Sequence, residues 1–489
     1  MKRMKVTGKE LALLCGMAAL GTLTFPLGAA ARTVDSVTAT AGSTAEIVYS
    51  GETLTVTNGV ESIGNNATGI RAVDDTEVAI GKDIYVHGAN SQYNNSYGVY
   101  GDSGVQVRVG TDIVVESDAG AERVRGIYID GGYGSSISST PDIQVDGDIS
   151  ASGINTIGIY VSGKNANIKV DGNVTASNRN ATGITTGGTS KIYVGGDVIS
   201  SYDNNGTLSY GISVGAGNDS YVEVAGNIVA SDKLTSGVRM GGSGTNKQIK
   251  VGKSVVAGGE SSKGIDTNGD GVSAYVAGDV TANGKSSLGI IVQNDAQVTV
   301  DGNLKASGEG AKGVELRDGS SVTVGKNIEV SGTEAIGINV DRWNVSGSGI
   351  EINVGGSFIV SGDDSYGIYT GTTKNTALKV NITDDLVVSS TNSSTQSVGI
   401  FSAYMPLEAV IGGKVAVSGT GVYGIYGDVG SDIGVAGNVE VTGAGSLGIQ
   451  VLGGSKVQAG GIVTGSAAAD SIGVDASNSS VDHRWCFFY

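Results

Sequence analysis

The chain has 489 residues, of which 82 are Gly and only 3 are Pro, and its formal net charge is −17. The low Pro content excludes collagen and Pro-rich linkers, and the many Val, Ile and Thr residues exclude a solvated disordered chain. The acidic balance argues against nucleic acid or anionic lipid as the main partner. A mixture of β-branched residues with Gly, Asn and Asp is typical of many short strands joined by turns.

Residues 1–31 have the features of a secretory signal peptide. Lys2 lies in a basic start, residues 11–27 are mostly apolar, and residues 29–31 are three Ala residues that suit a cleavage site. We therefore expect residues 1–31 to be removed on export. Only Cys486 would then remain of the 2 Cys residues. No disulfide framework is expected, so packing alone must stabilise the fold.

Beyond this segment, one short motif recurs along the rest of the chain. It is Gly followed by Ile or Val, and successive copies are 24 to 32 residues apart. The sixteen Gly residues are Gly69, Gly98, Gly126, Gly158, Gly183, Gly211, Gly237, Gly264, Gly289, Gly313, Gly337, Gly367, Gly399, Gly424, Gly448 and Gly473. A repeat of this length predicts a solenoid in which each unit packs only against its neighbours.

Residues 313–336 show the plan of one unit. Apolar and polar residues alternate in three short segments, 313–316, 321–324 and 328–330, which predicts three strands joined by bends. Three short strands cannot bury their apolar faces alone, but parallel stacking of successive units buries them all. The predicted fold is therefore all-β, a single-stranded right-handed parallel β-helix of about 16 coils of roughly 24–32 residues.

This plan divides the chain into four parts. The signal peptide is 1–31, an N-terminal cap region is 32–62, the β-helix repeats are 63–480, and an atypical tail is 481–489. Within a strand the residue after Gly should point into the core, and the next one should point outward. In one unit we thus expect Ile338 to be buried and Asn339 to face solvent.

Gly-Asn or Gly-Asp pairs follow the second strand of many units. They occur at 147–148, 172–173, 196–197, 226–227, 278–279, 302–303 and 437–438. Asn and Asp side chains form hydrogen bonds with nearby main chain at turns, and stacked Asn residues can form amide ladders. We interpret these pairs as structural bends and not as ligands of a metal or substrate.

The repeats resemble a known type of protein. Units such as 298–303 (Val-Thr-Val-Asp-Gly-Asn), followed by 306–308 (Ala-Ser-Gly) and 312–314 (Lys-Gly-Val), resemble the passenger region of bacterial autotransporter adhesins. The resemblance covers about residues 33–480. It implies a right-handed β-helix displayed at the surface of a Gram-negative cell or outside it, in association with the outer membrane. That family continues into a translocator barrel, so membrane association is expected only through a translocator that this sequence lacks.

Other β-helices are polysaccharide lyases or hydrolases, which need clustered carboxylates on one face. The acid pairs at 74–75, 363–364 and 384–385 do not recur on neighbouring units, and the only His residues are His87 and His483. We therefore expect no catalytic residues, no metal site and no cofactor.

Two further motifs suggest chemistry but fit turns better. The segment 101–104 (Gly-Asp-Ser-Gly) is similar to a serine-protease nucleophile segment, but no protease domain precedes it. The segment 266–271 matches half of a calcium loop, but Ala277 stands where the bidentate Glu belongs. We interpret both segments as polar turns.

The favoured function is a non-catalytic adhesin or interaction scaffold. The outward residue of the first strand is aromatic on two runs of three successive coils: Tyr100, Tyr128 and Tyr160, and then Tyr369, Phe401 and Tyr426. Such rows offer flat faces to sugar rings or apolar groups, although they also stabilise stacked strands. The expected partners are host or bacterial surface glycans or proteins, or a second copy of the chain. The alternatives are a polysaccharide-degrading enzyme and a passive spacer or truncated, non-functional passenger.

Overall fold

The computed structural model describes residues 30–89, 95–102, 104–118, 123–130, 140–162, 165–201, 208–242, 244–267, 271–292, 295–316, 320–340, 350–370, 378–391, 396–403, 405–464, 470–483 and 486–488. Over these ranges the chain is a parallel β-helix of about 16 coils without helices. The predicted all-β solenoid is therefore confirmed.

Each coil contributes three short strands, and each strand pairs in parallel with its equivalents in the coils before and after. The three resulting stacks are named ladder A, ladder B and ladder C, in the order in which a coil passes through them. Ladder C has 17 strands, while ladders A and B join into one sheet of 34 strands. They join because the strands Asp432–Val441 and Lys456–Thr464 each run through both.

The strand bounds are as follows. Ladder A contains Ala31–Val34, Thr53–Val56, Glu77–Ile80, Gln106–Val109, Asp142–Val145, Asn165–Val170, Thr189–Val194, Tyr221–Val224, Gln248–Val251, Ser273–Val276, Gln297–Val300, Ser321–Val324, Ile350–Val354, Leu378–Ile382, Leu407–Ile411 and Ser480–His483. Ladder B contains Val37–Ala39, Val60–Ile63, Ile84–Gly88, Ile113–Ser117, Ile149–Ser152, Val174–Ser177, Val198–Ser201, Ile228–Ala230, Val255–Ala257, Val280–Ala282, Leu304–Ala306, Ile328–Val330, Phe358–Val360, Leu386–Ser389, Val415–Ser418 and Cys486–Phe488. Ladder C contains Thr44–Val48, Thr68–Ala72, Tyr97–Gly101, Val124–Asp130, Thr156–Ser162, Thr182–Thr186, Ser209–Val214, Thr235–Met240, Lys263–Thr267, Leu288–Val292, Lys312–Leu316, Ile336–Val340, Tyr366–Thr370, Val398–Ser402, Tyr423–Gly427, Leu447–Val451 and Ile472–Ala476.

Columns of Val and Ile fill the interior. One column in ladder A runs through Val107, Ile143, Ile168, Ile192 and Val222, which are partners on five successive coils and are all buried. Alternate residues of these strands point inward, so each apolar side chain packs on the equivalent residue of the next coil. The core is thus continuous along the solenoid, and each coil depends on its neighbours for burial.

The recurring Gly of ladder C is required by close packing and not by a turn. A Cβ atom on Gly183 would overlap Cγ1 of Val174 in ladder B and would lie 2.7 Å from the carbonyl oxygen of Gly211 on the next coil. The same two obstacles recur at Gly98, where Ile84 and Gly126 take these places. Because no side chain fits at this position, Gly is selected coil after coil.

The prediction for the neighbouring pair at 338–339 is half right. Ile338 is fully buried, as expected, but Asn339 is only 6% exposed and does not face open solvent. Its partners in the outward column of ladder C are Glu315 and Tyr369. Glu315 is itself only 5% exposed, so this part of the outward face is covered. Outward direction therefore does not imply exposure here.

The bends between ladders A and B contain a column of Asp and Asn side chains that accept hydrogen bonds from backbone N–H groups. The Oδ1 atom of each Asp or Asn accepts a hydrogen bond from the backbone N–H of the equivalent residue one coil further on. The column runs through Asp83, Asp112, Asp148, Asn173, Asp197 and Asn227, with N···O distances from 2.6 to 3.1 Å. The bend residues therefore have the predicted structural role, although the column contains four Asp and two Asn residues and is not an amide ladder.

Removing one acceptor from this column should destabilise the solenoid modestly. Asp197 accepts hydrogen bonds from both the backbone N and the Nδ2 of Asn227, at 2.7 and 3.1 Å. We expect Asp197→Ala to lower the free energy of unfolding by about 1–2 kcal/mol. Asp197→Asn keeps the Oδ1 acceptor and should lose less, so equal urea unfolding midpoints for the two variants would contradict this role.

The two ends of the chain extend the ladders where the structure describes them. Residues 32–62, expected to form a cap, contain strands that pair with the following coil, as Val37–Ala39 does with Val60–Ile63. In the tail, Ser480–His483 and Cys486–Phe488 pair with Lys456–Thr464. Most of the expected signal peptide, residues 1–29, lies outside the described residues. Within the described ranges, no helix has the length and apolarity needed to cross a membrane.

Candidate binding surface

The six aromatic residues predicted as binding residues form two stacked columns on the outward face of ladder C. Tyr100, Tyr128 and Tyr160 are register partners on successive coils, and both centroid distances between neighbouring rings are 5.2 Å. In the second column, Tyr369 lies 5.5 Å from Phe401, which lies 5.0 Å from Tyr426. All six side chains are half-buried. The predicted columns therefore exist with the expected spacing.

Each column is widened by a ring that the sequence pattern did not reveal. Tyr97 lies 5.3 Å from both Tyr100 and Tyr128, centroid to centroid. Strict alternation would place Tyr97 on the inward face, but Gly98 and Val99 are both buried, so Tyr97 and Tyr100 face the same way.

The second column is widened in the same manner. Tyr366 lies 5.0 Å from Tyr369 and 5.9 Å from Phe401. The first platform is defined as Tyr97, Tyr100, Tyr128 and Tyr160, and the second platform as Tyr366, Tyr369, Phe401 and Tyr426.

Arginine side chains lie against the first platform. The Cζ atom of Arg125 is 4.9 Å from the ring centroid of Tyr128 and 4.8 Å from that of Tyr160. Arg71 lies 5.8 Å from the Tyr100 centroid on the coil before. Guanidinium groups over ring faces attract the negative face of the ring and hold the rings in place. The first platform is therefore both aromatic and cationic.

A small pocket adjoins the first platform on the Arg125 side. It is lined by Arg123, Arg125, Asn155, Ile157 and Asn180. Arg123, Asn155 and Asn180 occupy equivalent corner positions on three successive coils, and all have left-handed backbone with φ of 60°, 53° and 57°. The pocket thus combines two guanidinium groups, two amides and one apolar side chain.

Carboxylates lie at the opposite edge of the first platform. The pKa of Tyr100 is raised to about 12, mainly by burial and in addition by the nearby carboxylates of Asp130 and Asp102. The Tyr100 phenol therefore stays protonated and neutral at physiological pH. Burial also raises the pKa of Asp102, and the neighbouring charge of Asp74 adds to this effect. The platform consequently has a cationic edge and an acidic edge.

The second platform repeats the arrangement of four neighbouring rings, with Val398 at the position of Arg125. Its ladder register places Val398 between Tyr366 and Tyr423, where the first platform has Arg125 between Tyr97 and Ile157.

The two platforms lie on the same outward face of ladder C. From Tyr160 to Tyr369 there are eight coil steps, which at a strand spacing of about 4.8 Å span roughly 38 Å. Two ion pairs, Lys263–Asp266 at 2.9 Å and Lys312–Glu315 at 2.8 Å, lie between them.

The acid pairs considered for catalysis lie at different corners of the coil. Asp74 and Asp75 follow a strand of ladder C, while Asp363 and Asp364 precede one. Asp363 accepts hydrogen bonds from Ser390 Oγ at 2.6 Å and Thr391 N at 3.2 Å. Asp385 lies at the third corner, between ladders A and B, and accepts one from Lys414 N at 2.9 Å. Asp363 and Asp385 thus accept hydrogen bonds from main chain, and the three acid pairs lie at three different corners.

His87 lies in a groove along the C-terminal ends of the ladder B strands. Its Nε2 atom is 3.4 Å from Asp118 Oδ1, and its Nδ1 atom is 3.8 Å from Glu116 Oε2. The groove continues past Ser152, Ser177 and Ser201, which are stacked on successive coils. His87 is thus paired with carboxylates beside a row of hydroxyl groups.

The remaining motifs give no site within the described residues. Ser103 and residues 268–270 of the half calcium loop lie outside them. Among the residues that are described, no three His, Cys, Asp or Glu side chains are grouped closely enough to bind a metal ion.

Comparison with family models, curated proteins and solved structures finds no match for this chain.

Proposed function

We propose that this protein is an exported, non-catalytic β-helix that binds surface carbohydrate through the aromatic platforms of ladder C. The observation that carries the proposal is the recurrence of one four-ring arrangement at two places on the same outward face. Partly exposed aromatic side chains pack against the apolar parts of sugar rings and lose little side-chain entropy on binding.

The rigid spacing of the platforms supports a role in adhesion. A solenoid holds its surface residues at fixed positions, because every coil is hydrogen-bonded to the next. Two platforms roughly 38 Å apart can bind one long polymer or two copies of a repeated surface group, and bivalent attachment strengthens binding without new contacts. The basic start at Lys2 and the apolar run of residues 11–27 support export. We infer that the chain is the passenger region of an autotransporter-type adhesin.

The test is to measure binding of the full chain to an immobilised glycan library. The variant replaces Tyr100, Tyr128 and Tyr160 with Thr, which is the residue that follows in the same column at Thr185. We expect the wild-type chain to bind a subset of glycans and the variant to bind them more weakly, because only the second platform then remains. Because stacked rings also stabilise paired strands, binding is compared at a temperature where both proteins are folded. Undiminished binding by a folded variant with a lower Tm would contradict the proposal.

A further inference from the structure

We infer that the first platform selects sugars that carry a carboxylate, such as hexuronic or sialic acids. This inference rests on the proposed function and names the ligand class of one of its two platforms. The second platform, with the same rings and no cation at the position of Arg125, should bind neutral sugars without this preference.

The cationic edge supplies the group that recognises the carboxylate. Arg123 and Arg125 line one pocket, and within the described part of the chain neither has a carboxylate at salt-bridge distance. The guanidinium of Arg125 is held by the rings of Tyr128 and Tyr160. A planar guanidinium fixed in this way binds a carboxylate with two parallel hydrogen bonds.

The acidic edge decides between ligand classes. Asp102 and Asp130 lie beyond Tyr100, so hydroxyl groups that reach this side find acceptors. A polymer with sulfate groups along its whole length would bring negative charge against these carboxylates, which is unfavourable. A sugar with one carboxylate and several hydroxyls fits both edges, with its ring against the exposed side of the Tyr column and its carboxylate towards Arg125.

The chain provides matched variants for this inference. Arg125→Val gives the first platform the residue that the second has at Val398, and Val398→Arg does the reverse. Arg123→Asn introduces the residue found at the equivalent corner positions Asn155 and Asn180, where the backbone has the same left-handed conformation. Arg123→Asn should therefore fold even if Arg125→Val loosens the stacked rings.

The experiment measures calorimetric binding of two pairs of oligosaccharides to the full chain: hexuronate and sialyl oligosaccharides, and the same compounds after chemical reduction of their carboxyl groups. We expect the wild-type protein to bind at least one acidic form about tenfold more tightly than its reduced form. Arg125→Val and Arg123→Asn should each remove this preference, so that the acidic and reduced forms bind with affinities within about twofold of each other. Val398→Arg combined with Gln396→Arg, which gives the second platform both guanidinium groups, should raise the number of carboxylate-preferring sites from one to two.

Other results would distinguish failure of the carboxylate assignment from failure of carbohydrate binding itself. Equal affinity of the wild-type protein for acidic and reduced forms, with weaker binding of both in the triple Tyr→Thr variant, would overturn the carboxylate assignment and leave carbohydrate binding intact. Binding that survives in one chain whose stacked rings are replaced in both platforms together would overturn both. Failure of the wild-type protein to bind either acidic oligosaccharide would overturn the inference, while the glycan library tests the proposed function independently.

Discussion

Val322→Asp is expected to lower the free energy of unfolding by about 3–5 kcal/mol at pH 7, because it places an unpaired carboxylate in an apolar column. Val322 is fully buried between Val298 and Ile352 of the neighbouring coils. Burial of a carboxyl group raises its pKa above the unfolded value, so the loss grows as pH rises above about 4. At lower pH the carboxyl is protonated in both states and the loss should shrink.

The matched control is the next residue of the same strand. Thr323 is exposed, so Thr323→Asp should change stability by less than about 0.5 kcal/mol. Urea denaturation followed by circular dichroism at pH 7 and pH 4 measures both variants. Similar midpoints for the two at pH 7 would show that the inward and outward assignments of ladder A are wrong.

Gly183→Ala is expected to destabilise the solenoid by about 1–3 kcal/mol through overpacking. The added Cβ would overlap Val174 Cγ1 and crowd the carbonyl oxygen of Gly211, so two coils and two ladders would have to move apart. The neighbouring coils cannot shift far to make room, because Gly158 and Gly211 at the same position are packed as closely. The same urea measurement reports this loss.

A second strand glycine provides the comparison. A Cβ on Gly434 would have only one neighbour within 4 Å, the carbonyl oxygen of Ala409 at 3.9 Å. Gly434→Ala should therefore be neutral or slightly stabilising, since Ala restricts the unfolded chain. If Gly183→Ala were as well tolerated as Gly434→Ala, the recurrence of Gly in ladder C would need another explanation.

The strands were predictable because their pattern is local. In Ser321–Val324, alternation of Val with polar residues is enough to assign both strand and inward face. The recurring Gly also fixed the register of the coils, because it occurs once in each. The reason for that Gly was not predictable, since the obstacles to a side chain come from a different ladder and a different coil.

The binding surface was predictable only in part. Tyr100, Tyr128 and Tyr160 could be aligned from the repeat alone, but Tyr97 and Arg125 could not. Both precede a buried Gly that is followed by a second buried residue, so simple alternation assigns them to the wrong face. The exposure of Asn339 was predicted wrongly for a related reason. Its exposure depends on the residues around its column, and the sequence of one strand does not show which residues these are.

The most direct test of ladder C as the binding surface is hydroxyl-radical footprinting of the full chain with and without the glycan that binds most tightly in the library. We predict protection of Tyr100, Tyr128 and Tyr160, with protection of the second platform wherever the glycan spans both or also binds there. Tyr193 and Tyr275 point outward from ladder A and serve as internal controls that should react equally in both samples. Protection of Tyr193 and Tyr275, with the rings of ladder C left unchanged, would contradict the assignment of binding to this face.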